Sequence, residues 1–216
     1  MLEQIHRQLA GHPDVTLVAV SKYHPVEALR RAYGEGQRVF GESRVQELLV
    51  KREAMPADVE WHFIGHLQRN KVRQIAPFIG MIHSIDTERL LEEVSRQATA
   101  AGRVIDVLLQ LHVAEEDTKF GFSVDECRTF LASGRWKDLT GVRLRGLMCM
   151  ATNTDDADRI RHDFRQAAAL FHEMAPTVDS AAWNVRSWGM SSDFPIALEE
   201  EATHIRVGSL IFGTRG

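Results

Sequence analysis

Short apolar runs alternate with stretches of helical spacing along almost the whole chain. The apolar runs predict eight strands, at 16–21, 37–40, 61–64, 81–85, 105–113, 143–148, 185–189 and 204–208. The spacing between them predicts helices at 25–33, 43–54, 67–75, 87–100, 124–133, 155–174 and 195–202, and an additional N-terminal helix at 2–9. Because parallel neighbouring strands need crossover connections, this alternation predicts an α/β fold built on a parallel sheet.

Eight strand-and-helix units within 216 residues fit a single closed (β/α)₈ TIM barrel near the compact end of its size range. An open, doubly wound sheet is the alternative. No Gly-x-Gly-x-x-Gly follows the first strand, which argues against the dinucleotide-binding form of that sheet. No linker rich in Pro, Gly or Ser divides the chain, so we expect one domain over residues 1–216.

Composition narrows the class of protein. Hydrophobic residues make up 44% of the chain, charged residues 26%, and the net charge is −4, which is typical of a globular protein and unlike one built to bind nucleic acid. The N-terminus lacks the pattern of a signal peptide, and no apolar run is long enough to span a membrane. We therefore expect a cytoplasmic protein whose two cysteines, Cys127 and Cys149, stay reduced.

Ligand sites of barrels form where the strands end, and here those ends are polar. Alternation places Lys22 on the same face as Val18 and Val20, at the end of the first strand. A lysine there is partly desolvated, which favours the neutral amine that attacks an aldehyde. The alternative is a lysine that extends past the strand into solvent.

The last two loops are typical of a phosphate site. The sequence SWGMSSDF (187–194) follows the seventh strand, and a Gly208-Ser209 turn follows the eighth. Barrels commonly bind phosphate at these loops, although glycine and serine also serve as ordinary turn residues. Together with Lys22 they indicate an aldehyde that carries a phosphate, and pyridoxal 5′-phosphate (PLP) is such a molecule.

The motifs TLVAVSK, FGESRVQE, WHFIGHLQRNK, HSIDT, TKFGF, RGLMCM, SWGMSSDF and HIRVGSLIFGTR occur in this order. Through them the chain resembles, from about Thr16 to Arg215, the family of pyridoxal phosphate homeostasis proteins, single-domain relatives of the alanine racemase N-terminal barrel. The resemblance implies a barrel that holds PLP as a lysine imine and buffers it or delivers it to apo-enzymes. The implied role is in vitamin B6 and amino-acid homeostasis.

The resemblance also implies the residues of the site. Lys22 matches the imine lysine, Arg206 the arginine that faces the pyridine nitrogen, and Lys119 a lysine of a secondary or transfer site. Ser43 stands where the family usually has asparagine. The implied cofactor-binding residues are Lys22, Ser43, Met190, Ser191, Ser192, Arg206, Gly208 and Ser209, of which Ser191, Gly208 and Ser209 are phosphate contacts.

Whether such a barrel is an enzyme depends on its acids and bases. An arginine opposite the pyridine nitrogen leaves the ring uncharged and weakens it as an electron sink. Racemases that resemble this barrel take a tyrosine from a second domain, and 216 residues leave no room for one; the tyrosines here are Tyr23 and Tyr33. We expect a PLP carrier without catalytic residues. The alternatives are a small PLP-dependent amino-acid racemase and a Schiff-base aldolase.

The remaining polar features have structural interpretations. His62 and His66 lie on a strand and its turn, so we expect loop or barrel-interior histidines and no metal site. Polar residues of the fifth strand, Asp106, Gln110 and His112, predict a polar barrel interior. A closed barrel has no free strand edges, so we expect a monomer.

Overall fold

The computed structural model describes residues 2–115, 120–179 and 181–213, and a strand forms in each of the eight predicted places. The strands are β1 (Thr16–Val20), β2 (Val39–Glu42), β3 (Glu60–Phe63), β4 (Met81–Ile85), β5 (Ile105–Gln110), β6 (Val142–Met148), β7 (Val185–Ser187) and β8 (His204–Val207). Neighbours pair in parallel in chain order, and β8 pairs with β1. The predicted (β/α)₈ barrel is confirmed, and the open sheet is wrong.

Helices connect the strands. They are α1 (Leu2–Leu9), α2 (Val26–Gly34), α3 (Val45–Ala54), α4 (Val72–Ile75), α5 (Glu88–Ala100), α6 (Val124–Ser133), α7 (Ala157–Met174), α8 (Phe194–Glu199) and α9 (Ser209–Phe212). Local chemistry sets several of their starts. At α6 the Ser123 hydroxyl accepts from the Glu126 N–H and the Glu126 carboxylate accepts from the Ser123 N–H, a capping box. Within the described ranges, no helix is long and apolar enough to cross a membrane.

Several boundaries differ from the sequence-based prediction, and the helix predicted at 67–75 is α-helical only over Val72–Ile75. Strand β2 begins at Val39, because Gln37 turns inward and its side-chain amide donates to the carbonyls of Leu17 and Val39. Strand β5 ends at Gln110, because the Gln110 carbonyl accepts from the N–H of Phe122 in the returning segment. A short helix, α9, forms where only a turn was predicted.

Two apolar regions hold the barrel together. The larger lies between the strands and the helices and includes Phe40, Ile82, Leu91 and Phe164, all fully buried. The smaller lies inside the barrel and consists of Met81, Leu108, Met148 and Val185, with Met150 packed against it. A pocket opens at the carboxyl ends of the strands, and Met150 is among the residues that line it.

Gly146 allows β6 and β7 to approach each other. Its φ angle is +151°, and a Cβ atom at this position would lie 1.8 Å from the carbonyl oxygen of Val185. The register between β5 and β6 also shifts here, between Val107 and Leu108. A side chain would therefore force the backbone of two strands apart.

We expect Gly146→Ala to lower the free energy of unfolding by at least about 2 kcal/mol, because both the φ angle and the contact oppose a side chain. Urea denaturation followed by circular dichroism measures this loss. Gly34→Ala is the matched control, since Gly34 ends α2 with nothing within 4 Å of an added Cβ. Equal stability of the two variants would contradict the role given to Gly146.

Candidate functional site

A cavity of about 620 Å³ opens at the carboxyl ends of the strands. Residues at or just beyond the ends of seven of the strands line it, from Val20 after β1 to Gly208 after β8. A wider groove of about 920 Å³ lies between the starts of α5 and α6, but it draws on only that side of the barrel. We place the candidate site in the strand-end cavity, where barrel ligands bind.

The eight implied cofactor-binding residues that the resemblance gives all line this cavity. They are Lys22, Ser43, Met190, Ser191, Ser192, Arg206, Gly208 and Ser209. Most of them lie near the two ends of the chain, and these ends meet because β1 pairs with β8, with Val18 opposite Arg206. Lys119 lies outside the described residues.

One side of the cavity is built from the loops after β7 and β8. The Ser191 hydroxyl accepts from the Gly208 N–H at 3.3 Å, which joins the two loops. The buried Asp193 accepts from the Met190 N–H at 2.5 Å and stabilises the turn that carries the serines. Gly208 packs closely on β1, since an added Cβ would lie 3.0 Å from the Val20 carbonyl oxygen. Hydroxyls and backbone amides therefore converge at this end.

Arg206 reaches the floor of the cavity from β8 and is 4% exposed. Its Nη1 donates to the carbonyl oxygen and the hydroxyl of Ser187 at 2.7 and 2.6 Å, and its Nη2 donates to the Cys149 carbonyl at 2.9 Å. Burial lowers the pKa of the Arg206 guanidinium, but an arginine still keeps its proton in a protein. Arg206 is thus a fixed donor that carries positive charge.

The Lys and Arg side chains that line the cavity carry positive charge. Lys22 and Arg206 line it, and among the described residues that line it there is no Asp or Glu. Cations facing a cleft with low-dielectric walls attract anions and bind them more strongly than they would at an open surface. The cavity is therefore suited to an anionic ligand.

A hydrogen-bonded chain runs from Arg206 through the barrel interior. The Ser187 hydroxyl lies 2.9 Å from His83 Nδ1, His83 Nε2 lies 2.9 Å from His62 Nδ1, and His62 Nε2 lies 2.9 Å from Glu60 Oε1. Glu60 begins β3 at the opposite mouth of the barrel, and its side chain is 55% exposed. The chain therefore connects the ligand cavity to solvent on the other side.

Glu60 and His83 each have a definite charge state in this hydrogen-bonded chain. The hydrogen bond from His62 lowers the pKa of Glu60, which therefore stays ionised and only accepts. Burial lowers the pKa of His83 well below its ordinary value, so this ring is neutral. Because the Glu60 carboxylate only accepts, His62 donates to it from Nε2, and the neutral His83 ring donates through one nitrogen and accepts through the other. The protonated guanidinium is thereby held without a direct carboxylate partner.

Some lining residues were not predicted as part of a site. The mouth is lined by His24, His66, Phe120 and Leu210, and the floor by Gln110. His66 stacks on Phe120 at 4.1 Å, and its Nδ1 lies 2.7 Å from the Asp86 carboxylate. Gln110 was assigned to the barrel interior, and its place at the end of β5 was the signal that it faces the ligand end.

The remaining polar residues and the cysteines singled out in the sequence lie in several parts of the barrel. His62 lies in the barrel interior and His66 at the cavity mouth, and no metal-binding group of three or more His, Cys, Asp or Glu occurs among the described residues. Asp106 forms ion pairs with Arg143 and Arg145, while His112 is not among the residues that line the cavity. Cys127 and Cys149 are buried and form no disulfide, and burial raises the pKa of Cys127 to about 12.

Comparisons with known proteins agree with this architecture. Residues 2–216 match the family model described as the alanine racemase N-terminal domain. The chain is 38% identical over 220 residues to the pyridoxal phosphate homeostasis protein of Aquifex aeolicus, covering 100% of this chain and 95% of that protein. It is 37% identical to the protein of the same name from Schizosaccharomyces pombe, covering 97% of this chain and 88% of that protein.

Solved structures show the same fold. PipY of Synechococcus elongatus, without PLP, superposes with a TM-score of 0.90 at 38% identity over 98% of both chains. The PipY structure with PLP bound superposes with a TM-score of 0.87 at 37% identity, again over 98% of both. A D-threonine aldolase from Filomicrobium marinum shares the fold alone, with a TM-score of 0.72 at 16% identity over 96% of this chain and 58% of that one.

We expect acid to destabilise the protein through its interior histidines. Burial lowers the pKa of His204 from 6.5 to about 3, so the folded chain binds fewer protons than the unfolded chain between these values and loses stability as the pH falls through that range. Between about pH 7 and about pH 5, we expect the wild type to lose about 1 to 2 kcal/mol more of its free energy of unfolding than His204→Gln does.

Urea denaturation at the two pH values measures the difference. The exposed His6 of α1 supplies the control, and His6→Gln should lose as much stability as the wild type. A wild-type loss no larger than that of His204→Gln would contradict the role of this histidine.

Proposed function

This chain belongs to the pyridoxal phosphate homeostasis protein family, and from that premise we propose that it binds PLP reversibly in the strand-end cavity and buffers or delivers it. The observation that carries the proposal is the charge of the cavity, in which Lys22 and Arg206 face the ligand space and no described lining residue is acidic. A phosphorylated aldehyde satisfies both features, because its phosphate needs cations and donors and its aldehyde needs an amine.

The phosphate would lie at the loops after β7 and β8. Ser191, Ser192 and Ser209 supply hydroxyls there, and Gly208 leaves its backbone close to β1 and free of a side chain. Backbone N–H groups and hydroxyls of such loops are common phosphate donors in barrels. The residues present therefore fit the phosphate group.

The pyridine nitrogen would lie at Arg206. The Nη atoms of Arg206 already donate to Ser187 and Cys149, which fixes the plane of the guanidinium on the cavity floor. Because an arginine cannot accept a proton at neutral pH, it presents a donor to a ring nitrogen that stays unprotonated. When bound, PLP supplies an aldehyde that combines reversibly with amines and a ring that withdraws electrons.

Lys22 would hold the aldehyde end through an imine linkage. It lies two residues beyond the end of β1, is partly buried and lines the cavity. Ser43, Met190 and Gln110 complete the walls. Ser43 offers a hydroxyl where the family usually has the longer side-chain amide of asparagine. The Ser43 side chain would therefore extend less far towards the ligand.

We propose that the protein holds PLP without robust turnover. Tyr23 and Tyr33 are not among the residues that line the cavity, and the Tyr33 hydroxyl donates to the Asp58 carboxylate on the outside of the barrel. Carbanion chemistry also benefits from a protonated ring nitrogen, which Arg206 does not provide. The imidazoles at the mouth, His24 and His66, are the groups that a test of catalysis has to address.

We further propose that residues 1–216 act as one cytoplasmic cofactor-binding domain that is monomeric and passes PLP to apo-enzymes. The closed barrel supports a monomer, because every strand pairs with two neighbours and offers no edge to another chain. A dimer mass in light scattering would contradict this part of the proposal.

We expect the purified protein, incubated with PLP, to show the visible absorption of a lysine-linked PLP and to lose that band in Lys22→Ala. Borohydride should fix one pyridoxyl phosphate on Lys22, which peptide mass spectrometry locates. The exposed Lys137 gives the control, and Lys137→Ala should behave as the wild type. A trapped adduct that persists in Lys22→Ala would overturn the assignment of this lysine.

We expect the PLP-loaded protein to exchange the α-proton of amino acids with solvent deuterium no faster than free PLP does, because no tyrosine occurs among the described residues that line the cavity. Proton NMR of alanine in deuterium oxide measures the exchange. Exchange well above that of free PLP that is lost in His66→Asn would instead establish a racemase-type activity and refute the carrier without turnover.

A further inference from the structure

A buried cluster of charged side chains lies beside the cavity, between β1, β2 and α3. Lys51 of α3 donates from Nζ to Glu42 Oε1, to Glu47 Oε1 and to the Ser21 carbonyl oxygen, each at 2.6 Å. The side chains of Lys51, Glu42 and Glu47 are 5%, 0% and 22% exposed. We call these three residues the Lys51 cluster.

The Lys51 cluster binds the residues on both sides of Lys22. Before it, Ser21 accepts from Lys51 through its carbonyl and donates from its hydroxyl to Glu42 Oε1 at 2.7 Å. After it, the Tyr23 N–H donates to Glu47 Oε1 at 2.6 Å. The peptide groups that flank Lys22 are therefore held by one set of charges.

The backbone after Lys22 also has an unusual conformation. Tyr23 has a φ angle of +69°, in the left-handed region that costs a non-glycine residue roughly 1 to 2 kcal/mol. Such a conformation persists only where surrounding contacts determine it. The hydrogen bond from Tyr23 to Glu47 is such a contact, so the cluster helps to fix the turn that directs Lys22 into the cavity.

Stability alone does not account for the cluster. Burying an ion pair costs about as much as its attraction returns, and apolar side chains of similar size are often as stabilising. The second carboxylate oxygen of Glu42 is buried with no hydrogen-bond partner, and burial raises the pKa of Glu42. The hydrogen bonds of the Lys51 cluster to Ser21 and Tyr23 indicate that the cluster serves to position the backbone on both sides of Lys22.

We propose that the Lys51 cluster is a positioning device that holds Lys22 in the conformation from which its amine reaches the aldehyde of the ligand. The inference rests on the proposed PLP binding. In the linkage step the Lys22 nitrogen bonds to the aldehyde carbon, and the aldehyde oxygen leaves as water with the two protons of the neutral amine. In this role the cluster acts through its hydrogen bonds to Ser21 and to the Tyr23 backbone.

The positioning role predicts that the variants change the affinity for one ligand and not for a second, closely similar one. Pyridoxine 5′-phosphate has the ring and phosphate of PLP but an alcohol in place of the aldehyde, so it cannot bond to Lys22. Loosening the Lys22 turn should weaken PLP and leave pyridoxine 5′-phosphate unaffected. Damage to the whole cavity would weaken both.

The experiment compares Glu47→Ala and Lys51→Met with the wild type by titration of each ligand. We expect PLP affinity to fall about tenfold or more, as misplacement of a reacting group typically costs, while pyridoxine 5′-phosphate affinity stays within about twofold. Borohydride trapping at subsaturating PLP should show a matching loss of the adduct at Lys22. Arg52→Met, on the same helix but exposed, is the control and should change neither ligand.

A double variant and denaturation measurements distinguish a loss of folding stability from a loss of positioning. Lys51→Met leaves Glu42 buried without its cation, so the double variant Glu42→Gln with Lys51→Met is measured beside it, and urea denaturation follows all variants. Glu47→Ala keeps the pair of Lys51 with Glu42 and removes the acceptor of the Tyr23 N–H.

The outcomes are distinct. If the variants bind PLP as the wild type does, or lose both ligands equally, the positioning role is wrong while the proposed function stands. If the wild type binds neither ligand, the proposed function fails and the role of the cluster fails with it. Selective loss of PLP in the folded variants supports the inference.

Discussion

Pairing of the first strand with the last is the contact on which the candidate site depends. Thr16 lies opposite His204 and Val18 opposite Arg206, so the two ends of the chain share one register. Only this closure brings Lys22 to the same cavity as Gly208 and Ser209. Close approach of backbones supports it, since Gly208 packs on the Val20 carbonyl and Gly146 lets β6 and β7 meet.

The barrel buries cations near this cavity in two ways. Lys51 has carboxylates as direct partners, Glu42 and Glu47, and its remaining hydrogen bond holds the Ser21 carbonyl. Arg206 instead donates to neutral oxygens, and the carboxylate whose charge acts on it, Asp193, lies in the loop after β7 and does not line the cavity. A carboxylate in direct contact with Arg206 would neutralise the charge that an anionic ligand needs. The interior histidines can satisfy the hydrogen bonds without adding that charge, because burial keeps His83 neutral.

The sequence predicted most of the fold and much of the candidate site. Alternation of apolar runs and helical spacing gave a strand in each of the eight places, because the period of the pattern reports the local backbone. Boundaries failed where tertiary hydrogen bonds decided them, at Gln37 and Gln110. The strand-end rule and the resemblance together placed Lys22, Ser191 and Arg206, and these line one cavity. No local pattern marked Phe120 or His24, because a loop residue reaches the cavity only through the path of its loop.

The sequence by itself determined an alternation of eight strands with helices, a lysine after the first strand, and serine-rich and glycine-rich loops after the last two. These follow from periodicity and turn chemistry, which are properties of neighbouring residues. The tertiary structure alone decided that Glu42, Glu47 and Lys51 bind both neighbours of Lys22, and that Ser187, His83, His62 and Glu60 form one chain from Arg206. The physical reason is that buried polar groups must find partners across strands, and which groups meet depends on the register of the closed sheet.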